Sequence, residues 1–190
     1  MGYKVVIGIS NKHMHLGQAD LETLFGKGHK LTVFKDLSQP GQYACEEKVD
    51  VIGPKGSLKG IRVLGPVRSK TQIELSMTDA RSIGINAPIR ESGDVAGSPG
   101  AKLVGPAGEL ELKEGVIVAL RHIHLTEEEA RDAGVCDKEF VSLKFGGPRA
   151  AVYDQVLIRV NVNYAGECHL DTDEGNAAGA ATGSMGEIIK

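Results

Sequence analysis

The sequence predicts a mainly β fold of two similar β-domains with short capping α-helices, and three observations carry that prediction. Short apolar runs bounded by turn signals recur at roughly ten-residue spacing, which favours barrels or sandwiches over strand–helix–strand units. Helical signals are few and short. A His-X-His-Leu stretch occurs twice, as HMHL from His13 and HIHL from His122. Both copies follow an apolar strand and precede a cap and a short acidic helix, and that shared context reads as an internal duplication.

The chain opens with MGYKVVIGIS, which reads as a strand and whose apolar run is too short for a signal peptide. After the first histidine pair, LGQADLETLFGKG predicts a helix with Gly17 at its N-cap, Asp20 three positions on and a glycine-rich end. VDVIGP, IRVLGP and AKLVGP read as strands closed by turns. Four of the seven prolines, Pro54, Pro66, Pro106 and Pro148, follow a glycine, punctuation that ends strands in turns. SMTDARSIGI predicts a short helix around Asp79 to Ile83. SGDVAGSPGAK, from Ser92, is the most loop-like segment, a linker or a substrate-binding loop. GVIVAL leads into the second histidine pair, and LTEEEARDAG is the clearest helix: Thr126 with Glu129 makes a capping box and Gly134 stops it. QVLIRVNV is a further strand, and ECHLDTDEGNAAG a polar run behind it.

Composition narrows the function classes. At 190 residues there is room for one sizeable domain or two small ones. With 41% hydrophobic residues, few aromatics and no Trp, Val, Ile and Leu must fill the core. A net charge of −3 without a Lys/Arg cluster argues against nucleic acid as a partner, while a local basic site for an anionic substrate stays compatible with it. Cys45, Cys136 and Cys168 form no C-x-x-C pattern, and an odd count without a framework points to a reducing cytosol. No segment approaches the roughly 18 apolar residues of a membrane span. Val6 stands where a myristoylation signal needs Ser or Thr. A soluble, cytoplasmic protein is expected.

On a strand, residues i and i+2 share a face. His13 with His15, and His122 with His124, therefore present two imidazoles side by side, a spacing suited to one metal ion. Zinc is the default for neutral imidazole ligands. A single such pair is more readily a polar strand face; two pairs in matching contexts, drawn from six histidines, favour the metal. His169, beside Asp171, Asp173 and Glu174, is a further ligand with acids around it or part of an acidic solvated loop. An EF-hand is excluded by a glycine at the fifth loop position and the lack of a glutamate at the twelfth. In GPVRSKTQIELS an unbroken strand would put Arg68, Gln72 and Glu74 on one face, with Thr71, Ile73 and Leu75 turned to the core. Glu74 is then a candidate carboxylate ligand and Arg68 a candidate anion holder through its planar fork, unless the two form a plain surface ion pair. His29 has no evident partner and reads as a surface residue. Nothing supplies a triad for Cys168.

In order along the chain, NKHMHL, GPVRSKTQIELSMTDARSIGI, ESGD, ALRHIHL and HLDTDEGNAAG resemble the phosphate propanoyltransferases, the PduL-type phosphotransacylases, over essentially the whole length. The resemblance implies two small β-barrel domains with the active site between them. Residues 1–11 with 120–190 would form the first barrel and 12–119 the second. It implies two zinc ions, one on His13, His15 and Glu74, the other on His122, His124 and His169. Arg68 corresponds to the phosphate-binding and catalytic arginine. Ser10, Lys35, Arg62, Leu64 and Asn176 would line the coenzyme A pocket, with Ser92 a candidate further active-site residue. A homodimer is implied as well. Relatives housed in bacterial microcompartments carry an amphipathic extension before the first strand; here that strand begins within a few residues of Met1, which fits a cytosolic form or a trimmed segment.

The expected reaction interconverts acyl-CoA, acetyl- or propionyl-CoA, plus phosphate with acyl phosphate plus CoA. A zinc hydrolase would use the same ligands but has no need of a phosphate-holding arginine or a coenzyme A pocket. Zinc acting only as a structural staple calls for four protein ligands, whereas both sets here hold three and leave a position open.

Overall fold

The computed structural model describes residues 2–189. In chain order the elements are β1 (Lys4–Ser10), β2 (His13–His15), α1 (Gln18–Phe25), β3 (Val33–Asp36), β4 (Tyr43–Gly53), β5 (Gly56–Gly65) and β6 (Gln72–Glu74). Then come α2 (Met77–Ser82), β7 (Ile89–Arg90), β8 (Ala101–Val104), β9 (Glu109–Leu112), β10 (Val116–Ala119) and β11 (His122–Leu125). The chain closes with α3 (Glu127–Ala133), β12 (Phe140–Phe145), β13 (Ala151–Val160), β14 (Glu167–Asp171), α4 (Thr172–Ala178) and β15 (Met185–Ile189). No helix among the described residues is long and apolar enough to cross a membrane. The chain divides into two compact units, residues 1–11 with 120–190 and residues 12–119.

The first unit is a closed barrel in the order β1-β14-β11-β13-β12-β15. It closes because β15 pairs with β12 on one side and β1 on the other. Alternation along each strand fills it: Val5 and Ile7 of β1, Ile123 and Leu125 of β11, and Cys168 and Leu170 of β14 all turn into one core.

The second unit repeats the frame. Its sheet contains β10-β6-β2-β5-β4, and the successive pairings run parallel, antiparallel, parallel and antiparallel. The barrel strands β1-β14-β11-β13-β12 have the same sequence of orientations. The repeat is strand-exchanged, because β1 precedes the first histidine pair yet belongs to the unit of the second, and β10 does the converse. This sheet curls as a half-barrel and stays open. The far edge of β8 is taken by its hairpin partner β9, and the free edge of β10 by the two-residue β7. The barrel expectation is thus met by closure in one unit and by a half-barrel in the other. Met14, Leu16, Val63, Ile73 and Leu103 are fully buried in the second core.

The caps fall where the sequence puts them. α1 begins after Gly17, which offers no side-chain cap; Thr71 Oγ1 instead accepts from Gly17 N–H at 2.9 Å and donates to Asp20 at 2.5 Å. α2 starts at Ser76, whose hydroxyl accepts from Asp79 N–H. In α3 the Thr126–Glu129 capping box forms and Gly134 closes the helix at φ 66°, a left-handed conformation that glycine enters without steric cost. α4 was not expected: the polar run after His169 is a helix with its own capping box, Asp171 with Glu174. The acidic-loop alternative is therefore wrong there, since the acids satisfy helix N–H groups. His29 is not a lone surface residue either. Its Nε2 lies 2.8 Å from buried Glu47 and its ring stacks on Phe25.

Candidate active site and metal groups

In the second unit, β2 lies antiparallel to β6 with His13 opposite Glu74 and His15 opposite Gln72. Directly opposed residues share a face, so two imidazoles, a carboxylate and an amide meet on one side while Met14 and Ile73 pack on the other. The donor atoms of His13, His15 and Glu74 lie within 4.8 Å of one another, and all three residues are buried. His13 Nε2 is 3.5 Å from Glu74 Oε2. His15 Nδ1 lies 3.1 Å from the Leu64 carbonyl, which assigns that nitrogen the proton and leaves Nε2 with its lone pair for a ligand. Burial pushes the His15 pKa down to about 3, helped by the charges of His13 and Arg68. Burial alone would raise the Glu74 carboxyl, but His13, His15 and the Ser92 hydroxyl more than offset it and hold it well below the usual carboxylate range.

One hydroxyl ties this group to a cation. Ser92 Oγ donates to Glu74 Oε1 at 2.9 Å and accepts from Gln72 Nε2 at 2.8 Å and from Arg68 Nη1 at 3.1 Å. Its single proton and two lone pairs are thereby all used. Gln72 also donates to Glu74 Oε1 at 2.6 Å and accepts from Gly93 N–H at 2.6 Å. Glu74 Oε1 is thus committed to hydrogen bonds, and Oε2 is the oxygen turned towards the imidazoles. The expected unbroken strand is shorter than the spacing implied. β6 covers only Gln72–Glu74, and Arg68 sits before it, bridged to Gly17. The loop carrying Ser92 is what brings Arg68, Gln72 and Glu74 together. Thr71, Ile73 and Leu75 are buried, as the spacing predicts.

In the first unit, β11 lies antiparallel to β14 with His122 opposite His169 and His124 opposite Glu167. The donor atoms of His122, His124 and His169 lie within 4.8 Å of one another, and the rings are 4.7–5.0 Å apart between centroids. His122 Nδ1 lies 2.8 Å from the Leu120 carbonyl, which again leaves Nε2 as the ligand nitrogen. Burial, then the neighbouring His122 and His169, push the His124 pKa down to about 2. Both ring nitrogens of His124, and Nε2 of His169, are buried without a hydrogen-bond partner. A buried polar atom left so costs about 1–3 kcal/mol, and a metal ion bound to the three imidazoles would satisfy one of those on His124. Both donor sets suit zinc, and each leaves a coordination position open.

A model of the phosphate propanoyltransferase family matches residues 6–181. The chain belongs to that family. Relatives named phosphate propanoyltransferase include those of Thermotoga maritima, 49% identical over 98% of this chain and 89% of the relative, and of Clostridioides difficile, 47% identical over 98% and 89%. That of Salmonella typhimurium is 50% identical over 93% and 84%. The chain is accordingly an enzyme of the phosphotransacylase class.

Within this phosphotransacylase the residues expected at coenzyme A are spread over the fold. Ser10 ends β1, opposite Asp171 of β14, and Asn176 is exposed on α4. Lys35 is exposed on β3. Arg62, on β5 opposite His13, donates to the Cys45 carbonyl and carries its guanidinium 4.4 Å from the centroid of the exposed Phe34 ring. Leu64 contributes the carbonyl that orients His15. Cys168 is wholly buried and its thiol is pushed far up by burial, which agrees with leaving it out of the chemistry. The even spacing that places Gln72 on the face of Glu74 gives it no role, which its bond to Glu74 now supplies. Sequence reasoning missed Glu167 beside His169: the same two-residue spacing marks it only once ECHLD is known to be a strand.

Proposed function

We propose that the protein is a zinc-dependent phosphate acyltransferase that interconverts acetyl- or propionyl-CoA plus phosphate with the acyl phosphate plus CoA. The observation that carries this reading is the Arg68–Ser92–Glu74 network, which ties an anion-holding guanidinium to the carboxylate of a metal group. His13, His15 and Glu74 would hold one zinc ion, and His122, His124 and His169 the other. Zinc in such groups supplies Lewis acidity for a thioester carbonyl and counter-charge for a leaving thiolate.

The chain's own part is binding and orientation. The Arg68 fork would bind two phosphate oxygens at once and turn a third towards the thioester carbon. The new bond is phosphate oxygen to acyl carbon; the bond that breaks is carbon to sulfur, and its electron pair leaves on the CoA thiolate. Ser92 stops the guanidinium from swinging away, so much of the gain is proximity and orientation. Ser10, Lys35, Arg62, Leu64 and Asn176 are the proposed coenzyme A contacts, and the two cations suit its phosphates.

The deciding experiment follows CoA thiol release from acetyl-CoA and propionyl-CoA, with and without phosphate, before and after chelation. Phosphate-dependent release that chelation abolishes and zinc restores is the expected result. Release at an equal rate without phosphate would make the protein a thioester hydrolase, and release that survives chelation would remove zinc from the reaction.

A further inference from the structure

The internal repeat puts Gln72 and Glu167 at matching positions. Each lies two residues before the third donor of its group and opposite the second histidine of its pair, His15 for Gln72 and His124 for Glu167. Both are buried. Gln72 donates to Glu74 and so fixes which carboxylate oxygen faces the imidazoles. Metal-ligating groups are ordinarily held by outer partners of complementary polarity: a carboxylate by donors, an imidazole by an acceptor. The third donor is Glu74 in one unit and His169 in the other. The residue beside it changes in step, from an amide that donates to a carboxylate, a group able only to accept. Glu167 Oε2 lies 3.4 Å from His169 Nε2, a charge contact rather than a formed hydrogen bond. Glu167 is outside the set of donor atoms gathered within 4.8 Å, so it stands beside the group rather than in it.

A second observation comes from the neighbouring strand. Gly8 of β1 pairs with His169, and a Cβ placed on it would lie 2.6 Å from Glu167 Oε1 and 2.9 Å from its Cδ. The carboxylate therefore rests on bare backbone, and any side chain at position 8 would displace it. The matching residue in the second unit is Ile117, opposite Glu74. Bare backbone at this position is thus particular to the unit that holds the carboxylate.

We propose that Glu167 is a positioning residue for the three-histidine metal group. It orients His169 and supplies the negative charge that three neutral imidazoles lack, as Glu74 does within its own group. This inference rests on His122, His124 and His169 being a zinc group. The test is zinc binding to chelator-stripped protein, read by competition with a chromophoric chelator in a Glu74→Ala background, where the remaining equivalent belongs to the histidines. His122→Ala should abolish that equivalent. Glu167→Gln should weaken it by about 10–100-fold, and Glu167→Asp should recover part of the loss. Gly8→Ala, which leaves every donor in place, should weaken it in the same direction. Unchanged affinity in both Glu167→Gln and Gly8→Ala would overturn the role of Glu167 while leaving the zinc group standing. An equivalent that persists in His122→Ala would overturn the zinc group itself, and this inference with it.

Discussion

The two histidine pairs sit on the same five-strand frame, yet the groups built on them differ in kind. Around His13 and His15 the group is charged and wired: Glu74 is fixed by Gln72 and Ser92, and Ser92 in turn holds Arg68. Around His122 and His124 it is three packed rings, one with both nitrogens unsatisfied. The frame explains why each pair can gather a third donor at all, because an antiparallel neighbour sets it opposite the first histidine. The side chains added to that frame decide what each group does. One asymmetry is where the cation sits, since the first unit carries a guanidinium, that of Arg159, directly opposite His124 instead. Arg68 N–H donates to the carbonyl of Leu16, just after the first pair, at 2.9 Å, and Asn161 N–H donates to that of Leu125, just after the second, at 3.1 Å. The matching backbone positions carry a guanidinium in one unit and a neutral amide in the other.

That asymmetry predicts the largest effect. Arg68→Ala should lower turnover by a hundredfold or more, since removing one comparable electrostatic donor costs about 2.7–4 kcal/mol. Arg68→Lys should recover only part, because a point charge lacks the planar fork. Asn161→Ala, at the matching position, should stay within about twofold, since the bond it loses, from Asn163 N–H to Asn161 Oδ1, is exposed. Steady-state kinetics of all three variants would check this; equal losses at the two positions would show that Arg68 acts only through the fold.

Ser92→Ala should come next. It removes a hydroxyl shared by Arg68, Gln72 and Glu74, and hydrogen bonds to charged groups contribute about 1.5–3 kcal/mol. A loss of about tenfold in kcat/KM is expected, carried mainly by a higher KM for phosphate because Arg68 is freed. If KM for phosphate is unmoved, Ser92 serves Glu74 alone.

What was legible in the sequence follows the same division between frame and additions. Period-two patterning made the histidine pairs and their cores readable, since Met14, Ile123 and Leu125 had to face away from the rings. Capping boxes are local, so α3 could be read from Thr126 and Glu129. Asp171 and Glu174 carry the same signal, but their acidic surroundings beside a candidate ligand drew the reading towards a loop. The convergence of Arg68 on Glu74 was expected from an even spacing, yet it arises from a loop that returns 18 residues later to supply Ser92. Closure of one sheet and not the other depends on whether an edge strand finds a second partner or a hairpin neighbour, and no local pattern encodes that choice. Glu167 looks like any surface acid until strand register places it over Gly8.

The frame also repeats a pair of charges, and the smallest predicted effect separates its two copies. Lys12, just before the first histidine pair, bonds Asp79 at 3.2 Å, and Arg121, just before the second, bonds Glu174 at 3.2 Å. Both acids stand at the third position of the helix that follows the third donor. Burial raises the Glu174 pKa to about 7, a rise that the Asp171 backbone N–H and the Arg121 charge oppose without cancelling. A carboxyl raised in the folded state keeps a proton that the unfolded chain has already released. Its contribution to stability is therefore fully present below the ordinary value of 4.5 and is lost as pH rises through about 7. Glu174→Gln stays neutral at every pH. Urea unfolding should accordingly shift in favour of the variant, relative to the unsubstituted protein, between about pH 5 and pH 8. A constant gap over that range would mean that Arg121 keeps Glu174 ionised throughout, and that the two repeated ion pairs are alike after all.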